Sequence, residues 1–264
     1  MRQPRIIFRN SVFKKEYENL VAGDIVACPL NVSVHEEYIF TDLIQRGIRL
    51  IPSALSQLLS RSKCFQARVF KKWMVPETTV VTGRRDLVQA LHHYQRLGIS
   101  KVVTKLDRSD CGLGICYWQD VEQLYSHVIM NNKSVWPFVL QPFVKNAVDI
   151  RVVRLGTLYL EAYERRNSMG FRNNVHFGGE ASGYQLSSQE ETFCKDVMER
   201  GDFPYAHIDL LKTSDGRTFF CEISLYGGLK GAQLSQAKCN LIKKQIVDSL
   251  IQKALSEFCQ AEKA

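Results

Sequence analysis

The chain has no apolar run of the ~20 residues needed to cross a bilayer. Its first residues, MRQPRIIFRN, lack the hydrophobic centre of a secretory leader. The expectation is therefore a soluble, cytoplasmic protein without a membrane partner. Eight cysteines (28, 64, 111, 116, 194, 221, 239, 259) never form a CxxC pair, so zinc spacing is absent. Several of them sit inside apolar runs and read as buried free thiols of a reducing compartment. There is no RNA- or DNA-binding motif, so no nucleic-acid partner is expected. Internal repeats, low-complexity linkers and a Ser/His/Asp arrangement are missing as well.

What is present is 264 residues with 35 basic and 27 acidic side chains, a net charge of +8. That length suits one large domain or two closely packed ones, and the charge favours anionic ligands such as nucleotides, phosphates or acidic peptides. Short strands at 5–9, 24–28 and IRLIPS bracket a helix at 35–47, a strand–helix–strand unit assigned to residues 1–61. A helix is expected through 55–73, another at 84–97 closed by Gly98, then strands KVVTKL and GICYW and a helix at 119–130. The two prolines of VWPFVLQPFV suggest an edge or a bend rather than a central strand. Residues 149–166 read as a hairpin turning at Leu155-Gly156, 167–188 as a loop, 189–200 and 233–258 as helices.

Between the last two helices lies the most informative segment, AHIDLLKTSDGRTFFCEIS. Asp215-Gly216 is a strong signal for a two-residue hairpin. With that turn, Asp209 faces Glu222, Leu210 faces Cys221 and Leu211 faces Phe220. Two carboxylates directly opposite on one sheet face repel, and Ser224 adds a third oxygen two residues on. A hard cation between them would explain the pair, because magnesium is held by one or two carboxylates plus substrate phosphates. The alternative is a pair of solvated acids on an open sheet face.

Other residues suit the same chemistry. Lys105 ends an apolar strand ahead of a loop containing Ser109, Gly112 and Gly114, where glycine lets backbone N–H groups approach phosphate oxygens. Asp149 and Arg151 are two apart on a strand and share a face. Arg172 and Asn174 lie in the Arg/Asn-rich segment that follows.

The order of these blocks resembles the ATP-grasp superfamily, and within it the RimK-type carboxylate–amine ligases. VVTKLDRSDCGLGI is similar to the family's lysine strand and glycine-rich flap, LQPFVKNAVDIRVV to its adenine hinge and DxR strand, ERRNSMGFRNNVHFGG to its Arg/Asn stretch, and HIDLLKTSDGRTFFCEIS to its metal hairpin. Lys63 in RSKCFQ resembles the first ATP lysine.

The resemblance implies an α+β, ATP-grasp fold with two α/β subdomains clasping ATP. The short N-terminal α/β domain (1–61) precedes an ATP-grasp domain at 62–264, with a flap subdomain at about 76–138 and a nucleotide and metal sheet at about 139–264. It implies that Lys63, Lys105, Ser109, Gly112 and Gly114 contact the ATP phosphates, and that Gln141, Phe143 and Val144 frame adenine. Asp149 would contact nucleotide. Asp209, Glu222 and Ser224 would hold Mg2+, with Mn2+ as the alternative cation. Arg151, Arg172 and Asn174 would act on the transferring phosphoryl group. The implied partners are a small-molecule or peptide carboxylate and an amine, and homo-oligomer formation is left open. The chain departs from the family pattern at Ser224, where asparagine is usual, at Pro142 and Phe177, and in its shorter N-terminal region. Two other functions stay open beside ligation: an ATP-grasp phosphotransferase with a hydroxyl acceptor, and a nucleotide-binding scaffold without turnover.

Overall fold

The computed structural model describes residues 2–109, 113–130, 136–166 and 180–261. The N-terminal unit contains β1 (Ile6–Ile7), α1 (Asn10–Glu16), β2 (Ile25–Val26), α2 (Tyr38–Gln45) and β3 (Arg49–Leu50). Its strands form a three-stranded parallel sheet, order β1-β2-β3. Phe13, Leu20, Phe40 and Leu43 pack beneath it.

The helix expected through 55–73 is two helices, α3 (Ala54–Leu59) and α4 (Lys63–Val69). The break is local chemistry. Ser62 accepts the N–H of Phe65 and caps α4, a role that takes its residue out of helical geometry. Lys63 thereby becomes the first residue of α4.

A four-stranded sheet follows, made of β4 (Thr79–Val81), β5 (Val102–Leu106), β6 (Ile115–Trp118) and β7 (Phe138–Pro142) in the order β4-β7-β5-β6. Two helices, α5 (Arg84–Arg96) and α6 (Val121–Met130), cover it, with Leu87, Leu91, Tyr94, Leu124 and Phe138 in the shared core. Despite its prolines, β7 is an interior strand. Pro137 precedes it, and Pro142 lies beyond Leu140, the last residue paired to β4, so no ladder bond is lost on that side.

The third sheet holds β8 (Val148–Leu155), β9 (Tyr159–Arg166), β10 (Glu180–Gly183), β11 (Tyr205–Lys212) and β12 (Thr218–Ser224), all antiparallel, in the order β10-β9-β8-β11-β12. The expected 167–188 loop therefore contains a strand at its end. Two helices, α7 (Ser188–Gly201) and α8 (Gln236–Ala261), complete the chain. The main core joins this sheet to α3, α4 and α7 through Leu59, Ala67, Phe70, Val197, Ile208 and Phe220. Farther along, α8 leaves that core and packs Ile251 and Ala254 against Ile25, Ala27 and Ile51 of the N-terminal unit. No helix among the described residues is long and apolar enough to cross a membrane.

Candidate active site

The β11–β12 hairpin differs from its expected geometry in two places that compensate. Thr213 pairs with Arg217 around a three-residue loop, and Gly216 has φ of 85°, so Lys212 faces Thr218 and Leu210 faces Phe220. The register then shifts between Leu210 and Asp209, leaving Cys221 as the extra residue of a bulge. Beyond the bulge Asp209 faces Glu222, as the sequence implies, while Leu210 and Leu211 face Phe220 and Phe219 instead.

Asp209 is largely shielded and Glu222 is 32% exposed, and the charges of both are answered from within the chain. Arg151, opposite Asp209 on β8, grips it bidentately with both contacts at 2.7 Å. Arg165 of β9 reaches Asp209 at 2.9 Å and Asp149 at 2.6 Å. Asp149, Arg151, Arg165 and Asp209 thus form a four-charge network on one face of three neighbouring strands, with Arg165 buried and the other three half-buried. Burial alone would push both carboxyls up. At Asp209 the two guanidiniums outweigh burial and hold the group well below the usual carboxylate range. At Asp149 burial dominates, and the charge of Asp209 adds to it, raising the group to about 6.

Across the hairpin Glu222 accepts from Lys63 Nζ at 3.1 Å, and the same ammonium donates to the Ser109 carbonyl at 2.5 Å. The lysine is aimed by two supports that sequence reading missed. Asp107 accepts from Ser62 Oγ (2.9 Å) and from the Cys64 N–H (3.0 Å), tying the end of the lysine strand to the start of α4. One turn on, the buried Gln66 amide bonds both the N–H and the C=O of Ile223, acting as a strand partner for the open edge of β12. A buried glutamine ahead of an edge strand is a signal only once that edge is known. Lys105 is buried at the end of β5 and donates to Cys221 Sγ at 3.3 Å, so the bulge turns the thiol toward the flap. Gly114 is required by close approach, since a Cβ there would lie 2.5 Å from Ser109 Cβ.

Gln141 ends the buried part of β7, and Phe143 and Val144 lead from this sheet into β8. The Phe143 ring lies edge-on to Tyr117 at 4.8 Å, and its N–H donates to the Lys101 carbonyl. Gln141 Oε1 is buried without a partner among the described residues. That orphaned acceptor is of the kind a base amine would satisfy. His207 Nδ1 is buried and unpartnered too, and burial holds that ring neutral, at about 3.

The structure brings together Lys63, Lys105, Ser109, Asp149, Arg151, Asp209 and Glu222. Ser224 stands apart: its hydroxyl accepts the Tyr226 N–H at 3.1 Å and lies 3.2 Å from Ser60 Oγ, facing the N-terminal unit. Gly112, Arg172 and Asn174 lie outside the described residues. Among the described residues no group of three His, Cys, Asp or Glu side chains is arranged to hold a metal. The two facing carboxylates are hard oxygen donors of the kind magnesium takes, but the cations beside them are arginine and lysine.

A family model for the RimK-like ATP-grasp domain matches residues 57–250. The chain belongs to the RimK-like ATP-grasp family. The matched stretch begins within α3 and covers both larger sheets, leaving out most of the N-terminal unit. Relatives of this ATP-grasp chain include a probable alpha-L-glutamate ligase of Trichodesmium erythraeum, 24% identical over 183 residues, covering 68% of this chain and 60% of that protein. A ribosomal protein bS6–L-glutamate ligase of Escherichia coli is 28% identical over 141 residues, covering 52% of this chain and 46% of that protein. The chain thus spans about half to three-fifths of the length of these relatives. Among solved structures, D-alanyl-alanine synthetase A from Vibrio cholerae superposes with a TM-score of 0.61 at 11% identity, covering 90% of this chain and 77% of that one. That likeness supports the ATP-grasp fold alone.

Proposed function

We propose that this protein is an ATP-dependent carboxylate–amine ligase acting through an acylphosphate. The carrying observation is the convergence of two lysines, two arginines and three carboxylates where the two larger sheets meet, beside an orphaned buried acceptor on the connecting hinge. In this reading Lys63 and Lys105 hold the ATP phosphates with Ser109, Gly112 and Gly114, and Gln141, Phe143 and Val144 frame the base. Asp149 contacts nucleotide. Arg151, with Arg172 and Asn174, stabilises the negative charge that grows on the transferring group. Asp209 and Glu222, with Ser224 at the edge, would hold magnesium or manganese, which neutralises phosphate charge when bound. Each carboxylate keeps free lone pairs for the cation, since Asp209 Oδ1 accepts from Arg151 alone and Glu222 only from Lys63.

A substrate carboxylate oxygen attacks the γ-phosphorus while the bond to the β–γ bridging oxygen breaks and ADP leaves. An amine nitrogen next attacks the acyl carbon, loses a proton and expels inorganic phosphate, leaving an amide. No side-chain nucleophile is needed. The partners are a small-molecule or peptide carboxylate and an amine, in a cytoplasmic setting. The experiment is ADP release over a panel of amino acids and acidic peptides, with and without magnesium. Magnesium-dependent ADP release that requires both a carboxylate and an amine is expected. Release that yields a phosphorylated product without consuming amine would make the protein a phosphotransferase, and nucleotide binding with no release under any pairing would make it a scaffold.

A further inference from the structure

A half-buried ion pair ties the N-terminal unit to the loop that follows β5. Glu37, at the start of α2, holds Arg108 bidentately at 2.7 and 2.9 Å. Arg108 also has Asp107 at 3.4 Å and lies 5.7 Å from the Phe65 ring. Arg61 stands near the same carboxylate: burial pulls that guanidinium below its ordinary range, and the charge of Glu37 acts against the fall. Both arginines line a cavity of about 460 Å³ between the N-terminal unit and the end of β12, with Asn31, Ser60, Ser224 and Tyr226.

The backbone at Arg108 is strained. Its φ is 54°, a left-handed geometry that a Cβ resists and glycine accepts freely. Such a conformation persists only where its surroundings hold it, and it draws attention to the group it places. The group placed here is the next carbonyl. Ser109 C=O accepts from Lys63 Nζ at 2.5 Å, and the same ammonium donates to Glu222 at 3.1 Å. Contacts thus run without a break from Glu37 through Arg108 and Ser109 to Lys63 and Glu222. Asp107 grips only the start of α4, through Ser62 Oγ and the Cys64 N–H. The far end of the lysine side chain therefore depends on where the Ser109 carbonyl points.

We propose that Glu37 is a positioning residue for Lys63: its ion pair keeps Arg108 left-handed, which aims the Ser109 carbonyl at the ammonium and sets that charge for the phosphates of ATP. The proposal rests on the ligase reading, in which Lys63 holds phosphate. It adds to that reading a residue of the N-terminal unit, ahead of the family match that begins at residue 57. Glu37 itself touches neither nucleotide nor cation in this scheme. It acts through the backbone geometry of Arg108.

Calorimetry with magnesium and a non-hydrolysable ATP analogue tests this without turnover. Glu37→Gln removes the charge at nearly constant shape and should weaken binding about tenfold, the scale of one lost charged hydrogen bond. Arg108→Ala keeps the strained backbone without its holder and should do the same. Glycine supplies the comparison that a mere tie between units would not satisfy. In Arg108→Gly the left-handed φ needs no support, so binding should match wild type, and adding Glu37→Gln should weaken it no further. If Glu37→Gln fails to fold by circular dichroism, Arg108→Ala against Arg108→Gly carries the same comparison. Wild-type affinity in Glu37→Gln, a weak Arg108→Gly, or an equal loss from Glu37→Gln in both backgrounds overturns the proposal. No binding by wild type overturns it together with the nucleotide site. ADP release over the carboxylate and amine panel separates the two readings. The expected binding pattern without release sinks only ligation; release with no effect of Glu37→Gln on binding sinks only the positioning role.

Discussion

Asp209 carries more of this site than its single charge suggests, because two guanidiniums depend on it. Sequence reasoning pairs it with Glu222 and treats the pair as mutually repulsive until a cation arrives. The structure supplies the cations from β8, β9 and α4, so removing a carboxylate does not relieve repulsion. Asp209→Asn leaves the half-buried Arg151 and the buried Arg165 with only Asp149 to answer them. Breaking a buried pair on one side costs about 3–5 kcal/mol, and denaturant unfolding without nucleotide should show a loss of that order. A loss below about 1 kcal/mol would place the arginines in the solvated class. Lys105 is tied down less, since a thiol is its recorded partner. Lys105→Ala should therefore spare the fold and weaken Mg-ATP binding by about 1–3 kcal/mol, the scale of a lost charged hydrogen bond. Unchanged affinity by calorimetry would remove this lysine from the nucleotide site.

Elements hold these residues through contacts that join one element to the next. Glu190 shows how. It closes the capping box of α7 with Ser187, and it also receives Lys212 of β11 at 3.0 Å and Thr218 of β12 at 3.3 Å. Burial alone would raise its carboxyl, but the Ser187 N–H, the Lys212 ammonium and the Tyr184 hydroxyl together bring it down to about 2. The folded value is thus depressed below the unfolded one, near 4.3. The stabilisation is fully present above that unfolded value and is lost as pH falls toward 2. Glu190→Gln should lower stability at neutral pH and flatten the stability profile between about pH 4.5 and 2; a parallel, merely displaced profile would contradict the linkage. At this scale the sequence was legible where local chemistry sufficed. The Gly98 stop and the Asp209/Glu222 register could be read, while the β8–β9 turn falls on Gly156–Leu158, with Leu155 paired to Tyr159, rather than on Leu155-Gly156. The three-residue loop and the Cys221 bulge could not, because each shifts the register by one and the two cancel at the acids. The α3/α4 break at Ser62 is a local cap that the helical apolar spacing of 55–73 masked. The four-charge network was half visible: Asp149 and Arg151 share a strand, but Arg165 joins them only through the pairing of β9 with β8.

At the scale of the whole molecule, the chain ends by returning to its beginning. The N-terminal unit reads from sequence as a small separate domain, and most of it lies outside the family match. Its three strands are two residues long each, too short to stand independently. The second half of α8 covers what they leave open. Ile251 and Ala254 pack on Ile25, Ala27 and Ile51, Arg49 meets Glu257 at 2.9 Å, and Gly23 lies against the Phe258 ring. Sequence could show an amphipathic terminal helix but not that its two halves serve different cores. The cavity beside Arg61 depends on this closure, since Asn31 and Val32 belong to the N-terminal unit and Ser224 to the sheet that α8 also covers. Unfolding should therefore be one transition. Ile251→Ala removes a buried side chain at the junction and should cost about 2–5 kcal/mol, the usual range for such a truncation in a core. If the unit is integral, the whole transition should move down in temperature without splitting, and intrinsic fluorescence should report the same midpoint as far-UV circular dichroism. Two separated transitions, with the later one unmoved from wild type, would make the N-terminal unit an appended domain, and the wall it lends to the cavity would then be free to leave.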